Sequence, residues 1–430
     1  MDFLDDFKAR RLFFQCTDED ALGRALAGGQ VTAYIGFDPT AASLHIGSLL
    51  PVMNLVRFAR AGHRPIALVG GATGLVGDPS GKSAERQLLT REGLAANIAG
   101  LRAQLGRYLD FSDPERGALL VNNDDWFRDY NVLDFLRDVG KHFSVNEMLH
   151  RESVKTRLHE RDQGISYTEF SYMLLQGYDF AALHERHGCT LQMGGSDQWG
   201  NIVSGVELTR KLRHATAYGL TTPLLTKADG TKYGKSEKGN VWLDPALTSP
   251  YEFYQFLFNT EDADVEKLLL QLSLVPLDEI AAVMAEHGPN PARRAPQRKL
   301  AEAVTRFVHG EEGLAVAQRI TRAFFGDVSW SELSPDELNV AWRTQTPAPE
   351  MVGDALGGPV GELTAALVTV GLFTSKSDAR RGIEGGGVSI NGVKVGRQDV
   401  KRTLGGLDVL AGGYMVLSKG AKNHKVVRVA

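Results

Sequence analysis

Cysteine is nearly missing from this chain. Only Cys16 and Cys189 occur among 430 residues, too few for a disulfide framework or a zinc cluster, and a reducing, cytoplasmic home is expected. No apolar run is long enough to cross a bilayer, so no membrane partner is expected. The opening Met1-Asp2-Phe3-Leu4-Asp5-Asp6 is acidic, unlike a secretory signal. Internal repeats and low-complexity tracts are absent as well. What is present, 43% hydrophobic and 23% charged residues, is a globular composition, and the length calls for two or three domains.

The net charge of −4 is unevenly spread. Residues 371–430 hold eleven Lys or Arg against four Asp or Glu, which leaves −11 on the first 370. A basic end on an acidic body suits RNA, although a solvated basic surface has the same composition.

Residues 1–245 alternate strand-like and helix-like segments. Strands are expected at 31–37, 65–70, 118–122, 190–194 and 220–225, with helices at 49–61, 91–109 and 198–212 among those between them. Apolar runs of about five residues joined by helices predict a parallel sheet covered on both faces. Ligands of such sheets bind outside the carboxyl ends of the strands, where strand order reverses. Asp38, Asp78, Asn123 and Asp197 each follow a strand candidate, so one rim gathers them. Residues 246–342 read as helical, with segments at 264–272, 277–287, 297–308 and 313–325. A Pro-, Gly- and Thr-rich linker spans 343–360. The last part, 361–430, reads as a small domain with short helices at 363–370 and 377–384, the second capped by Ser377, and a hairpin turning at Asn391-Gly392.

Two distant segments look like halves of one nucleotide site. Ser43-Leu44-His45-Ile46-Gly47-Ser48 lies between a strand and a helix, where backbone N–H groups and an imidazole suit a polyphosphate. Gly47 lets a nucleotide approach the backbone. Pro51 is tolerable in the following helix if Ser48 caps it, because the proline then falls in the first turn. Lys232-Tyr233-Gly234-Lys235-Ser236 places two lysines on a Gly-containing loop. Gly77-Asp78-Pro79-Ser80-Gly81-Lys82-Ser83 is not a P-loop: three residues rather than four separate Gly77 from Gly81, and Val76 stands where the pattern needs glycine. Residues 81–86 read instead as a basic loop.

Ser166 and Glu169 form a capping-box pattern. On the helix they start, Tyr172, Gln176 and Asp179 fall on one stripe, either a wet face or the lining of a pocket. Gly194-Gly195-Ser196-Asp197-Gln198 joins a strand end, two glycines and a helix start, and Gln192 on that strand points toward the same cleft.

The two nucleotide-site segments resemble the HIGH and KMSKS signatures of class I aminoacyl-tRNA synthetases, and the rest of the chain is similar to the bacterial tyrosyl-tRNA synthetases. Phe135-Leu136-Arg137-Asp138-Val139-Gly140-Lys141-His142 and Ser249-Pro250-Tyr251-Glu252-Phe253-Tyr254 extend the likeness. It implies a Rossmann-like, doubly wound α/β catalytic domain, a helical tRNA-side domain and a small α+β RNA-binding domain. It implies activation of L-tyrosine by ATP to tyrosyl-adenylate and pyrophosphate, then transfer to the 3′ end of tRNA(Tyr). Mg²⁺ would arrive with ATP; no organic cofactor or protein-bound metal is expected.

The resemblance also distributes roles. Tyr34 and Asp179 would grip the phenolic hydroxyl; Asp78, Tyr172 and Gln176 the ammonium; Gln198 the carboxyl region. Asp38, Thr40, His45, Gly47, Ser48, Asp197, Lys232, Lys235 and Ser236 would hold ATP. His45, Lys82, Arg86, Lys232 and Lys235 would steady the phosphates during reaction. Arg380, Arg381, Lys394, Arg397, Lys401 and Arg402 would meet tRNA phosphates. Ser48 departs from the family pattern, which has a second histidine or an asparagine there. Relatives are homodimers, so a dimer is expected. Two polar groups aimed at one hydroxyl reject the analogue that lacks it, and tyrosine activation is the standard illustration of that rule.

Three rival readings remain. An RNA-modifying enzyme fits the terminal domain but not the ATP-site segments. A nucleotide kinase needs the glycine spacing that is missing. Activation of tryptophan lacks a use for Tyr34 beside Asp179.

Overall fold

The structure, a computed structural model, describes residues 2–78, 90–113, 117–151, 154–155, 165–236, 239–345, 347–351 and 361–429, with only the backbone of 235 and 236. Lys82 and Arg86 lie outside the described residues. The chain forms two compact units, Met1–Asp244 with Thr260–Ala303, and Pro245–Asn259 with Val304–Ala430.

The first unit is built on a six-stranded sheet. Its strands are β1 (Gln15–Cys16), β2 (Thr32–Phe37), β3 (Arg64–Val69), β4 (Leu119–Asn122), β5 (Cys189–Gly195) and β6 (Tyr218–Thr222). They run in the order β1-β6-β5-β2-β3-β4, parallel except for β1. The chain winds outward from β2 through β3 to β4, then returns to β5 on the other side of β2. The order therefore reverses between β2 and β5, where a doubly wound sheet opens its crevice. Tyr34 of β2 stands beside Ile66 of β3 and Gln192 of β5.

The apolar runs become the buried strands for the expected reason: Ala33, Ile66, Ala67 and Leu191 are wholly enclosed. Two local expectations are corrected. The strand expected at 220–225 ends at Thr222, because Pro223 has no N–H to continue the ladder. The helix expected from residue 49 begins at Ile46, and its cap is His45 rather than Ser48. Pro51 is thus the sixth helical residue, beyond the first turn, and deprives the Gly47 carbonyl of its i+4 donor.

The helical stretch 246–342 is shared between the two units. Helices Asp262–Leu272 and Leu277–His287 belong to the first. The segment Ala295–Phe325 is interrupted at Gly310, whose φ of 74° breaks helical geometry between the two helices read from the sequence.

Strands β7 (Lys235–Ser236) and β8 (Gly239–Asn240) form a hairpin of the first unit, and in the second unit the strands are β9 (Glu350–Met351), β10 (Gly361–Glu362), β11 (Val388–Ile390), β12 (Val393–Val395), β13 (Thr403–Leu404), β14 (Tyr414–Lys419) and β15 (Asn423–Val429). Five of them form a sheet ordered β12-β11-β14-β15-β9. Glu350 and Met351, within the segment read as a linker, make its edge strand alongside Arg428 and Val429. Asn391 and Gly392 both take positive φ, 50° and 86°, as a two-residue hairpin turn requires. The helix Lys376–Glu384 is capped by Ser375, not Ser377. Helices Leu363–Thr369 and Lys376–Glu384 cover one part of this core, with Leu363, Leu367, Ile383, Met415 and Leu417 inside.

Candidate active site

A cavity of about 360 Å³ opens at the carboxyl ends of β2 and β5. Tyr34, Asp38, Gly47, Asp78, Tyr172, Gln176, Asp179, Asp197, Gln198 and Lys232 all line it. These residues come from six separate stretches of chain, and the reversal of strand order brings them together.

One region of the lining combines apolar walls with a few polar atoms. Asp179 is 2% exposed. Trp126 Nε1 donates to its Oδ1 at 2.9 Å, and Asn123 Nδ2 donates to its Oδ2 at 3.2 Å. Asn123 Nδ2 also donates to Thr73 Oγ1 at 3.0 Å. Burial pushes the Asp179 carboxyl up to about 8, against the pull of Asn123 and Trp126. Tyr34 is 1% exposed, packed edge-on against Phe180, and its hydroxyl has no hydrogen-bond partner among the described residues. Gln192 Oε1 is likewise buried and without a partner among the described residues. Burial first, and then the Asp179 charge, drive the Tyr34 phenol well above its ordinary pKa. Two orphaned polar atoms on adjacent strands of a cavity wall mark a place built for a polar ligand group.

A second polar group is a chain of amides. Gln198 Nε2 donates to Asp78 Oδ2 at 2.8 Å, Gln176 Nε2 to Gln198 Oε1 at 3.2 Å, and Asn201 Nδ2 to Gln176 Oε1 at 2.9 Å. Tyr172 donates its hydroxyl to Asp38 Oδ1 at 3.4 Å. Its phenol is raised by burial, then by Asp38 and Asp78. Asp197 is raised by burial and by Asp78, with Lys232 opposing. Three carboxylates, Asp38, Asp78 and Asp197, with carbonyl-type oxygens between them, make a wall suited to a cation.

The first signature segment pairs through its backbone with residues 241–243, and Val241 N–H in turn donates to the Gly234 carbonyl of the second segment at 3.0 Å. Ile46 N–H donates to the Val241 carbonyl at 2.8 Å, and Leu243 N–H to the Leu44 carbonyl at 2.9 Å. His45 and Trp242 form the bridge between these bonds. Gly234, at φ 111°, fits because it has no Cβ; one would lie 2.8 Å from Ile46 Cγ2. His45 Nδ1 accepts from Gly47 N–H at 3.0 Å, so the neutral ring carries its proton on Nε2. Thr40, His45 and Ser48 are not part of the lining, although their chain neighbours Asp38 and Gly47 are. Lys235 and Ser236 form strand β7 (Lys235–Ser236), paired with β8 (Gly239–Asn240); their side chains are outside the described atoms.

Among the basic residues of the second unit, Arg380, Lys394, Arg397 and Lys401 are exposed. Arg381 is exposed and sits 3.6 Å from Asp378. Arg402 is held by Asp408 and by Asp399, so its charge is already matched.

The sequence puts Asn123 on the rim without a role, and it carries no signal for Thr73 of the lining or for Trp126, which stands behind the lining and holds Asp179. No spacing rule distinguishes an indole that holds a carboxylate from one that fills a core.

Residues 26–326 match the family described as tRNA synthetases class I (W and Y), and residues 355–427 the tyrosine–tRNA ligase SYY-like C-terminal domain. The chain is 50% identical over 424 residues to a tyrosine–tRNA ligase of Salmonella enteritidis PT4, covering 99% of this chain and 98% of that one. A C-terminally truncated mitochondrial tyrosyl-tRNA synthetase of Aspergillus nidulans superposes with a TM-score of 0.68 at 32% identity, over 75% of this chain and 94% of that one. The corresponding Coccidioides posadasii structure gives 0.65 at 32% identity, over 74% and 91%. The chain belongs to the class I tRNA synthetases, as a tyrosine–tRNA ligase.

Proposed function

We propose that tyrosine lies in the cavity with its phenol between Tyr34 and Asp179 and its ammonium against Asp78, Tyr172 and Gln176. The observation that carries this is the orphaned Tyr34 hydroxyl beside a buried carboxyl. A hydroxyl both donates and accepts, so Tyr34 and Asp179 together satisfy a phenol in either protonation state of Asp179. Gln198, bonded to both Asp78 and Gln176, orients the carboxylate end.

ATP is read as lying across the junction of residues 44–47 with 232–243, entering as its Mg²⁺ complex. Asp38, Thr40, Gly47 and Ser48 lie along one side, Asp197 meets the ribose, and Lys232, Lys235 and Ser236 reach the phosphates. The tyrosine carboxylate, ionised at neutral pH, attacks the α-phosphorus; the bond to the β-phosphate oxygen breaks and pyrophosphate leaves. No general base is required. Catalysis comes from alignment and from donors that bind the phosphates more tightly as charge shifts onto the leaving group. His45 donates from Nε2, while Lys232 and Lys235 supply charge. Lys82 and Arg86 are assigned to the pyrophosphate on the family resemblance alone.

The exposed cations Arg380, Arg381, Lys394, Arg397 and Lys401 are the proposed tRNA-facing set, and Arg402 is assigned a structural role. A homodimer is proposed on the apolar surface of Val132, Leu133, Leu136, Val145 and Leu149, exposed between 38% and 72%.

ATP–pyrophosphate exchange against a panel of amino acids tests the pocket. Tyrosine-dependent exchange with no response to phenylalanine or tryptophan is expected. Equal response to phenylalanine would overturn the placement of the phenol.

A further inference from the structure

Both signature segments are tied to one helix that contributes no residue to the lining of the cavity. The helix Asp262–Leu272 belongs to the first unit. Near its N-terminus, Asp264 is buried and accepts from the Ala228 backbone N–H at 2.7 Å. One turn on, Lys267 Nζ donates to the Thr226 carbonyl at 2.8 Å and to Thr226 Oγ1 at 3.1 Å. Thr226 and Ala228 lie on the outgoing arm of a tight turn. Lys227 N–H donates to the Thr231 carbonyl at 2.8 Å, and Thr226 bridges to Lys232. Lys232 is therefore the returning foot of a turn whose outgoing foot is clamped. Just before the helix, Thr260 Oγ1 sits 3.4 Å from the buried Tyr233 hydroxyl, next to Lys232.

The helix's other end holds the first signature. Arg57 Nη2 donates to the carbonyls of Leu270, Gln271 and Ser273 at 3.2, 2.8 and 2.7 Å. Arg10 Nη2 adds a bond to the Val275 carbonyl at 3.0 Å. Two guanidinium groups at a helix C-terminus complement both its unpaired carbonyls and its dipole. Arg57 belongs to the same rigid helix, Ile46–Arg60, whose N-terminus carries His45 and Gly47.

We propose that Asp264 and Lys267 are positioning residues for tyrosine activation, fixing Lys232 over the cavity in register with the His45 helix through a shared strut. Neither touches a reactant in this proposal. It rests on the assignment of Lys232 to the phosphates, and misplacement of a charged group by about an ångström costs one to two orders of magnitude in rate.

The test is a double-mutant cycle in ATP–pyrophosphate exchange on the full-length enzyme. Asp264→Ala should lower kcat by roughly tenfold or more while leaving the KM for tyrosine within about twofold. Asp264→Asn keeps an acceptor oxygen for the Ala228 N–H and should restore most of the rate. In a Lys232→Ala background, Asp264→Ala should add less than about twofold, because the group it positions is gone. Lys267→Met, which keeps the apolar stem and loses the donors, runs the same cycle should Asp264→Ala not fold. Full additivity with Lys232→Ala would overturn the positioning role while leaving Lys232 on the phosphates. A Lys232→Ala enzyme with normal exchange would overturn both.

Discussion

Asp179→Asn separates the requirements of folding from those of substrate recognition. Burial holds the Asp179 carboxyl near 8 in the folded protein against an ordinary value of 3.8. The folded state therefore binds more protons than the unfolded state across that interval. Stability falls as pH rises from about 4 to about 8, by up to roughly 1.4 kcal/mol per unit. Below this window both states are protonated and the group contributes nothing; above it the full penalty remains. Asparagine cannot ionise and removes the slope. It brings a fixed cost instead, because one oxygen that accepted from Asn123 becomes an NH₂ facing a donor, at about 1–3 kcal/mol. Urea denaturation of wild type and variant at pH 5 and pH 8, followed through tryptophan emission, measures the difference. The variant should lie close to wild type in stability at pH 5, where the two costs are of similar size, and gain on it by about 4 kcal/mol between pH 5 and pH 8. Tyrosine-dependent exchange should fall at both values. A stability difference that did not change with pH would refute the buried, proton-holding carboxyl.

Four further outcomes are expected. Tyr34→Phe should leave the free protein as stable or slightly more so, having lost an unpaired buried hydroxyl, while tyrosine binding weakens by about 1 kcal/mol and discrimination against phenylalanine narrows in exchange kinetics. Gly234→Ala, with its Cβ 2.8 Å from Ile46 at positive φ, should destabilise by about 2 kcal/mol and slow adenylate formation, measurable by thermal unfolding and pre-steady-state kinetics. Arg57→Ala should lower the unfolding free energy of the first unit by about 3 kcal/mol, since it strips three carbonyls of one buried donor. Replacing Lys394, Arg397 and Lys401 with alanine should reduce the dependence of tRNA binding on salt, each lost phosphate contact removing about 0.7–0.9 from the log–log slope; Arg402→Ala should instead lower thermal stability.

Much of the site was legible because its chemistry is local. Strand, glycine-bearing turn and helix N-terminus follow one another in the chain at 43–48 and at 194–198, and the period of a helix alone puts Tyr172, Gln176 and Asp179 on one stripe. Where the local pattern misled, a neighbour overrode it. His45 displaced Ser48 as the cap because its Nδ1 reaches the Gly47 N–H. Ser375 displaced Ser377 as the cap of the helix Lys376–Glu384 because its side chain accepts from the Asp378 N–H.

The amino-acid sequence by itself determined the alternating elements, the two signature segments and the helical stripe of Tyr172, Gln176 and Asp179. Tertiary structure alone decided that residues 44–46 pair with 241–243, that Asn123 and Trp126 hold Asp179, and that Arg57, Thr226 and Ala228 converge on the helix of Asp264 and Lys267. These are contacts between groups tens to hundreds of residues apart. Periodicity reports which face of an element is buried; it carries no information about which distant backbone carbonyl a buried arginine will meet.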